Sequence, residues 1–202
     1  MTSTPVRWVA AGLALGAALS LAACQSDPNS LAAQAGSGSR AGYAAGDGSI
    51  EQLPSASRGE PLALSGKTVD GGTWSMDVQG AGKVVVINVW GSWCPPCVAE
   101  TPALQGAWAA YEKAGKPVVF VGIDTMEAPE TGLAFLRAKG VTFPSINDQA
   151  NQGAPVLALQ GKAPATPTTL VLDRQGRVAA RVLGPTSEVT VRALVDAVLA
   201  EA

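Results

Sequence analysis

Trp93-Cys94-Pro95-Pro96-Cys97 holds the side chains of this sequence best suited to chemistry. Two cysteines at i and i+3 in the first turn of a helix share one face, close enough to close a small disulfide ring. The first, at the positive end of the helix, gains thiolate stabilisation from the dipole and from free N–H groups, which makes it the nucleophile. The second is expected to lie deeper and to resolve a mixed disulfide. A metal site or an inert staple are the competing readings. Zinc takes four ligands, and the chain has no histidine and one further cysteine, Cys24. A redox pair therefore fits best. Absence of histidine also excludes Cys-His and Ser-His catalysis, imidazole metal sites and haem attachment through C-x-x-C-H.

These cysteines need a strand to deliver them and a helix to receive them. Lys83 to Trp90 is a continuous, β-branched apolar run of the kind buried on both faces of a sheet. Residues Pro95 to Lys113 carry Val98, Leu104, Ala107, Trp108 and Tyr111 at mostly helical spacing, with Pro102 inside and expected to kink the helix. Pro117 to Asp124 reads as a second buried strand, Pro129 to Lys139 as a helix stopped by Gly140, and Val189 to Leu199 as a C-terminal helix. Thr168 to Asp173 and Val178 to Leu183 flank Arg174-Gln175-Gly176 as a hairpin. An N-terminal hairpin is expected from Leu62-Ala63-Leu64 and Thr73 to Met76 around a turn-rich segment. The result is an α/β domain, a central mixed sheet flanked by helices. Ser65-Gly66-Lys67-Thr68 imitates the end of a phosphate-binding loop, but Pro61 occupies the position of its first glycine. The second imitation, before Gly82-Lys83, fails likewise at Asp77.

The block from Val84 to Pro102 resembles the thioredoxin superfamily, and more closely its TlpA/ResA-like branch of membrane-attached, extracytoplasmic thiol-disulfide oxidoreductases. Weaker similarity runs from about Glu60 to the C-terminus. This resemblance implies a thioredoxin-like fold with a central helical insertion, placed at Glu127 to Gly161. It implies a cis bond at Thr166-Pro167 facing the active site, where a substrate strand would pair with the backbone beside Trp93, Pro95 and Pro96. Asn88 stands where thioredoxin has a buried aspartate, so a carboxylate proton acceptor is missing there. Glu100, one turn beyond Cys97, matches the acidic residue of the branch and would exchange protons with the cysteine pair; the other reading is a solvated helix-face carboxylate. Trp93 either covers the disulfide and contacts partners or completes the core. Because Pro95 and Pro96 lack N–H groups, the Cys97 N–H is the main local donor left for the Cys94 sulfur. Weaker thiolate stabilisation favours a reductant, with a potential near thioredoxin's about −270 mV rather than the about −120 mV of a strong oxidant.

Composition sets the surroundings. The chain has 202 residues, 47% hydrophobic and 15% charged, with a formal net charge of −2, enough apolar surface for one domain and no basic excess to attract nucleic acid. Arg7 precedes an uncharged run from Val9 to Ala23, shorter than a bilayer span, that reads as a signal peptide over 1–23. Its end, Leu21-Ala22-Ala23-Cys24, resembles a bacterial lipobox, in which Cys24 takes the lipid. Residues 24–58 are Ser, Gly and Ala-rich and read as a flexible tether with an r.m.s. span of ~30 Å, ahead of a thioredoxin-like domain over 59–202.

Together these features point to a lipid-anchored oxidoreductase facing outside the cytoplasm, or a secreted one. It would use no cofactor or metal, act on protein disulfides, and be recharged by a membrane thiol-electron donor. By resemblance, apocytochrome c is a substrate, which places the chain in cytochrome c maturation. The alternatives are a disulfide oxidase, a thiol peroxidase and a non-catalytic surface-binding lipoprotein. The P-x-x-x-T-x-x-C setting of a peroxidatic cysteine is absent around Cys94, and an intact C-x-x-C argues against a dead scaffold.

Overall fold

The computed structural model describes residues 46–201. The expected signal peptide, Cys24 and the tether up to residue 45 lie outside the described residues. Among the described residues no helix is long and apolar enough to cross a membrane.

Twelve elements build the domain: β1 (Ile50–Gln52), β2 (Ser65–Lys67), β3 (Thr73–Ser75), β4 (Val84–Trp90), α1 (Pro95–Lys113), β5 (Val118–Asp124), α2 (Pro129–Lys139), β6 (Ser145–Asn147), α3 (Ala154–Ala158), β7 (Thr168–Leu172), β8 (Val178–Leu183) and α4 (Glu188–Leu199). The main sheet has the order β1-β8-β7-β4-β5-β6. Strands β4, β5 and β6 are parallel, whereas β7 runs antiparallel to β4, β8 to β7 and β1 to β8. This is the mixed, helix-flanked, thioredoxin-like sheet that the sequence leads one to expect.

Strand β4 is buried along its whole length because both faces of the sheet are covered. Side chains alternate across a strand, so its apolar run divides in two. Val84 and Val86 pack with Leu104, Ala107 and Tyr111 of α1 and with Val191, Leu194, Val195 and Val198 of α4. Val85, Ile87 and Val89 pack on the opposite face with Leu62, Leu64, Trp74, Met76 and Leu159. By the same period Asn88, the single polar residue of the strand, falls on the α1 side. Gly140 closes α2 in the left-handed conformation, φ 65°, as its stop requires. Helix α1 continues through Pro102.

Two expectations need correction. The N-terminal hairpin exists, but its ladder pairs Ser65–Lys67 with Thr73–Ser75, one step beyond Leu62-Ala63-Leu64. Leu62 and Leu64 are core residues, and the Met76 N–H donates to the Leu64 carbonyl at 2.9 Å just outside that ladder. Part of the segment read as tether belongs to the sheet: Ile50–Gln52 pairs with β8, and the Arg58 side chain reaches Asp173 at 3.1 Å and Glu201 at 2.6 Å. The stretch 127–161, where the central insertion was expected, holds α2, the sheet strand β6 and the short α3.

Candidate redox site

The parallel strand β4 ends at Trp90, and four residues later Cys94 caps α1. Gly91 allows the turn: a Cβ there would stand 2.2 Å from Trp93 Nε1. Pro95 and Pro96 fill the first helical positions, where a missing N–H costs little. Cys94 and Cys97 are joined as a disulfide, with their Cα atoms 5.3 Å apart. The Cys97 N–H points at Cys94 Sγ, 3.3 Å away, the donor that survives the two prolines.

Both cysteines are buried, Cys94 at 0% and Cys97 at 1% exposure, so the expected difference in depth is absent in the disulfide form. The reason is packing, since both sit in one cluster with Val69, Trp90 and Leu136. What distinguishes them is polar surroundings. Cys94 Sγ faces the Cys97 N–H on one side and, at 3.9 Å, the Thr166 carbonyl oxygen on the other. Thr166-Pro167 is a cis peptide bond and leads directly into β7. One backbone donor and one backbone acceptor therefore converge on the first sulfur.

Glu100 is not a solvated helix-face residue: it is 3% exposed. Its Oε1 accepts from Asn88 Nδ2 at 2.9 Å, and its Oε2 from the Thr186 N–H at 2.8 Å. Asn88 Nδ2 also bonds Thr169 Oγ1 on β7, at 3.2 Å. Burial pushes the Glu100 carboxyl up to about 7, against the two N–H donors that favour its charged form. The amide at position 88 thus holds a carboxylate reaching in from position 100. Sequence reasoning missed Thr186 as a partner of Glu100 and Thr169 as a partner of Asn88. Thr186 lies 86 residues away, and no local pattern announces a backbone N–H as a ligand.

Trp93 is half-buried against the Cys94/Cys97 cluster, and its Nε1 donates to the Thr125 carbonyl at 2.8 Å. Pro95 is exposed and Pro96 half-buried. Trp93, Pro95, Pro96 and the Thr166-Pro167 loop thus gather around the disulfide as expected. Ser92 carries a contact that sequence reasoning did not find. Its N–H donates to Glu127 Oε1 at 2.6 Å, and its hydroxyl to Glu127 Oε2.

Comparison with known proteins places this geometry. Residues 60–181, more than half of the chain, match the AhpC/TSA family. The chain is 34% identical over 104 residues to the thiol-disulfide oxidoreductase ResA of Geobacillus thermodenitrificans, covering 51% of this chain and 56% of that protein. It is 29% identical over 120 residues to the thiol:disulfide interchange protein HelX of Rhodobacter capsulatus, covering 59% and 62%. The chain therefore spans little more than half the length of these relatives. Among solved structures, a secreted thiol-disulfide isomerase from Corynebacterium glutamicum superposes with a TM-score of 0.66 at 26% identity, covering 77% of this chain and 95% of that one. A secreted Mycobacterium tuberculosis disulfide oxidoreductase homologous to E. coli DsbE superposes with a TM-score of 0.57 at 25% identity, covering 67% and 96%.

Proposed function

The chain belongs to the AhpC/TSA family, and from that premise we propose that it is a ResA-like thiol-disulfide oxidoreductase that reduces protein disulfides outside the cytoplasm. The observation that carries this reading is Cys94 capping α1 as half of a disulfide, between the Cys97 N–H and the carbonyl of a cis Thr166-Pro167.

In the reduced chain the Cys94 thiolate attacks one sulfur of a substrate disulfide and displaces the other as a thiol. Cys97 then attacks Cys94 Sγ of the mixed disulfide, releasing the second substrate thiol and closing the Cys94–Cys97 bond. Two electrons pass to the substrate, and a dithiol donor at the membrane restores them. Glu100, an acid poised near neutrality, takes up and returns the proton of the cysteine pair. Trp93, Pro95 and Pro96 form the contact surface for substrate, whose backbone pairs beside Thr166-Pro167. Kinship with ResA and HelX, and the secreted structural neighbours, support a place outside the cytoplasm. The lipobox supports tethering through Cys24, and the ResA-like resemblance supports apocytochrome c among the substrates. A thiol peroxidase would need P-x-x-x-T-x-x-C, and Ile87 and Gly91 occupy its proline and threonine positions.

Thiol-driven reduction of insulin disulfides tests the proposal. The full chain should accelerate it, Cys94→Ser should abolish the acceleration, and Cys97→Ser should stall as a mixed disulfide visible on non-reducing gels. A wild-type chain no faster than the thiol alone contradicts the reading.

A further inference from the structure

The turn after β5 is bonded to the redox loop on both sides of one residue. The Thr125 carbonyl accepts from Trp93 Nε1 at 2.8 Å, and the Thr125 N–H and hydroxyl return to the Trp90 carbonyl at 2.9 and 3.1 Å. On the other side the Glu127 carboxylate takes the N–H and the hydroxyl of Ser92, while the Glu127 carbonyl accepts from Asn147 Nδ2 at 2.9 Å. Met126 lies between these anchors. Its backbone is left-handed, φ 61°, a conformation that a side chain of this size rarely adopts, and the side chain is 57% exposed. Such a conformation persists where the surrounding bonds over-determine it, as they do here.

Neither burial nor the turn accounts for a methionine at this position. The side chain is mostly in solvent, and glycine or asparagine would take the same backbone at less cost. Both chain neighbours of Met126 are bonded to residues 90–93, just ahead of Cys94. It therefore adds an exposed apolar side chain beside the half-buried Trp93 and the exposed Pro95 that border the disulfide. Methionine is unbranched and carries a polarizable sulfur, so it adapts to partners of varied shape and packs well against aromatic rings.

We propose that Met126 is a substrate-contacting residue that sets specificity: its thioether packs against a large apolar side chain, best an aromatic one, next to the cysteine that Cys94 attacks. The inference rests on the redox reading of Cys94–Cys97. Backbone pairing beside Thr166-Pro167 carries little sequence preference, so discrimination among protein disulfides comes from side-chain contacts on the Trp93 and Met126 side. The pinned turn presents Met126 at a fixed place, which limits the ordering that binding must impose.

Two synthetic peptides test this, each closed by one disulfide and differing only in whether Phe or Ser flanks the cysteines. Their reduction by the full chain, driven by dithiothreitol and corrected for the uncatalysed rate, gives kcat and KM. Wild type should favour the Phe peptide about fivefold in kcat/KM, with the difference lying in KM. Met126→Asn, which suits the left-handed backbone, should bring that ratio to about one, and Met126→Leu should keep most of it. If Met126→Asn does not fold, Met126→Gly gives the same comparison. A disturbed loop would slow both peptides alike and leave the ratio standing. A ratio in Met126→Asn equal to that of wild type therefore overturns the proposal, as does a wild type with no preference for Phe. A wild type that reduces neither peptide faster than dithiothreitol alone would sink the redox reading instead.

Discussion

At the scale of single residues, the account turns on a carboxyl that titrates where the cell works. Folded Glu100 holds its proton more tightly than the unfolded chain does, so its share of stability is full below about pH 4.5 and is lost as pH rises to about 7. Glu100→Gln should abolish that loss, worth on the order of 3 kcal/mol, and flatten the pH dependence of insulin reduction near neutrality. Chemical denaturation of the oxidised chain at several pH values checks the first part. An unchanged slope and rate profile would remove Glu100 from the proton path. The cysteines were legible from sequence because their geometry is local, fixed by three residues of helix. The environment of Glu100 was not, because its partners arrive from β4 and from the loop before α4, and only folding brings them together.

At the scale of elements, long apolar runs announced themselves and short polar strands did not. Strands β4, β5, β7 and β8 carry enough β-branched residues to be read directly. Strand β1 is three exposed residues, Ile50-Glu51-Gln52, and β6 offers Ile146 alone as an apolar signal, so each is a strand only because a neighbouring edge pairs with it. The segment after β1 is fixed by charge. Arg58 is almost wholly buried and bridges Asp173 of the β7–β8 turn to Glu201 beyond α4. Arg58→Met should leave the buried Asp173 with Arg177 as its remaining cation and lower stability by about 3 kcal/mol, read as a shift in the urea midpoint. Wild-type stability in this variant would mean that the segment before residue 59 is an appendage after all.

At the scale of the whole molecule, the proposed arrangement of leader, anchor and tether ahead of the domain lies outside the described residues. The proposed leader and lipobox rest on linear sequence alone, the form in which a signal peptidase would read them, whereas the start of the domain was blurred by a composition of Ser, Gly and Ala that continues past the first strand. Cys24→Ser should move the chain from the membrane to the soluble fraction or leave an unprocessed precursor, as membrane fractionation and gel mobility would show. A variant that fractionates and migrates like wild type would contradict the anchor. The direction of electron flow is also a property of the whole molecule, since it weighs reduced against oxidised chain. With Pro95 and Pro96 unable to donate, the Cys94 thiolate keeps the Cys97 N–H as its nearest backbone donor, and the reduced form gains little of the stabilisation that makes a strong oxidant. Equilibrating the Cys94–Cys97 pair with glutathione buffers measures this balance directly. The account predicts a potential near about −270 mV, and a value near about −120 mV would contradict it.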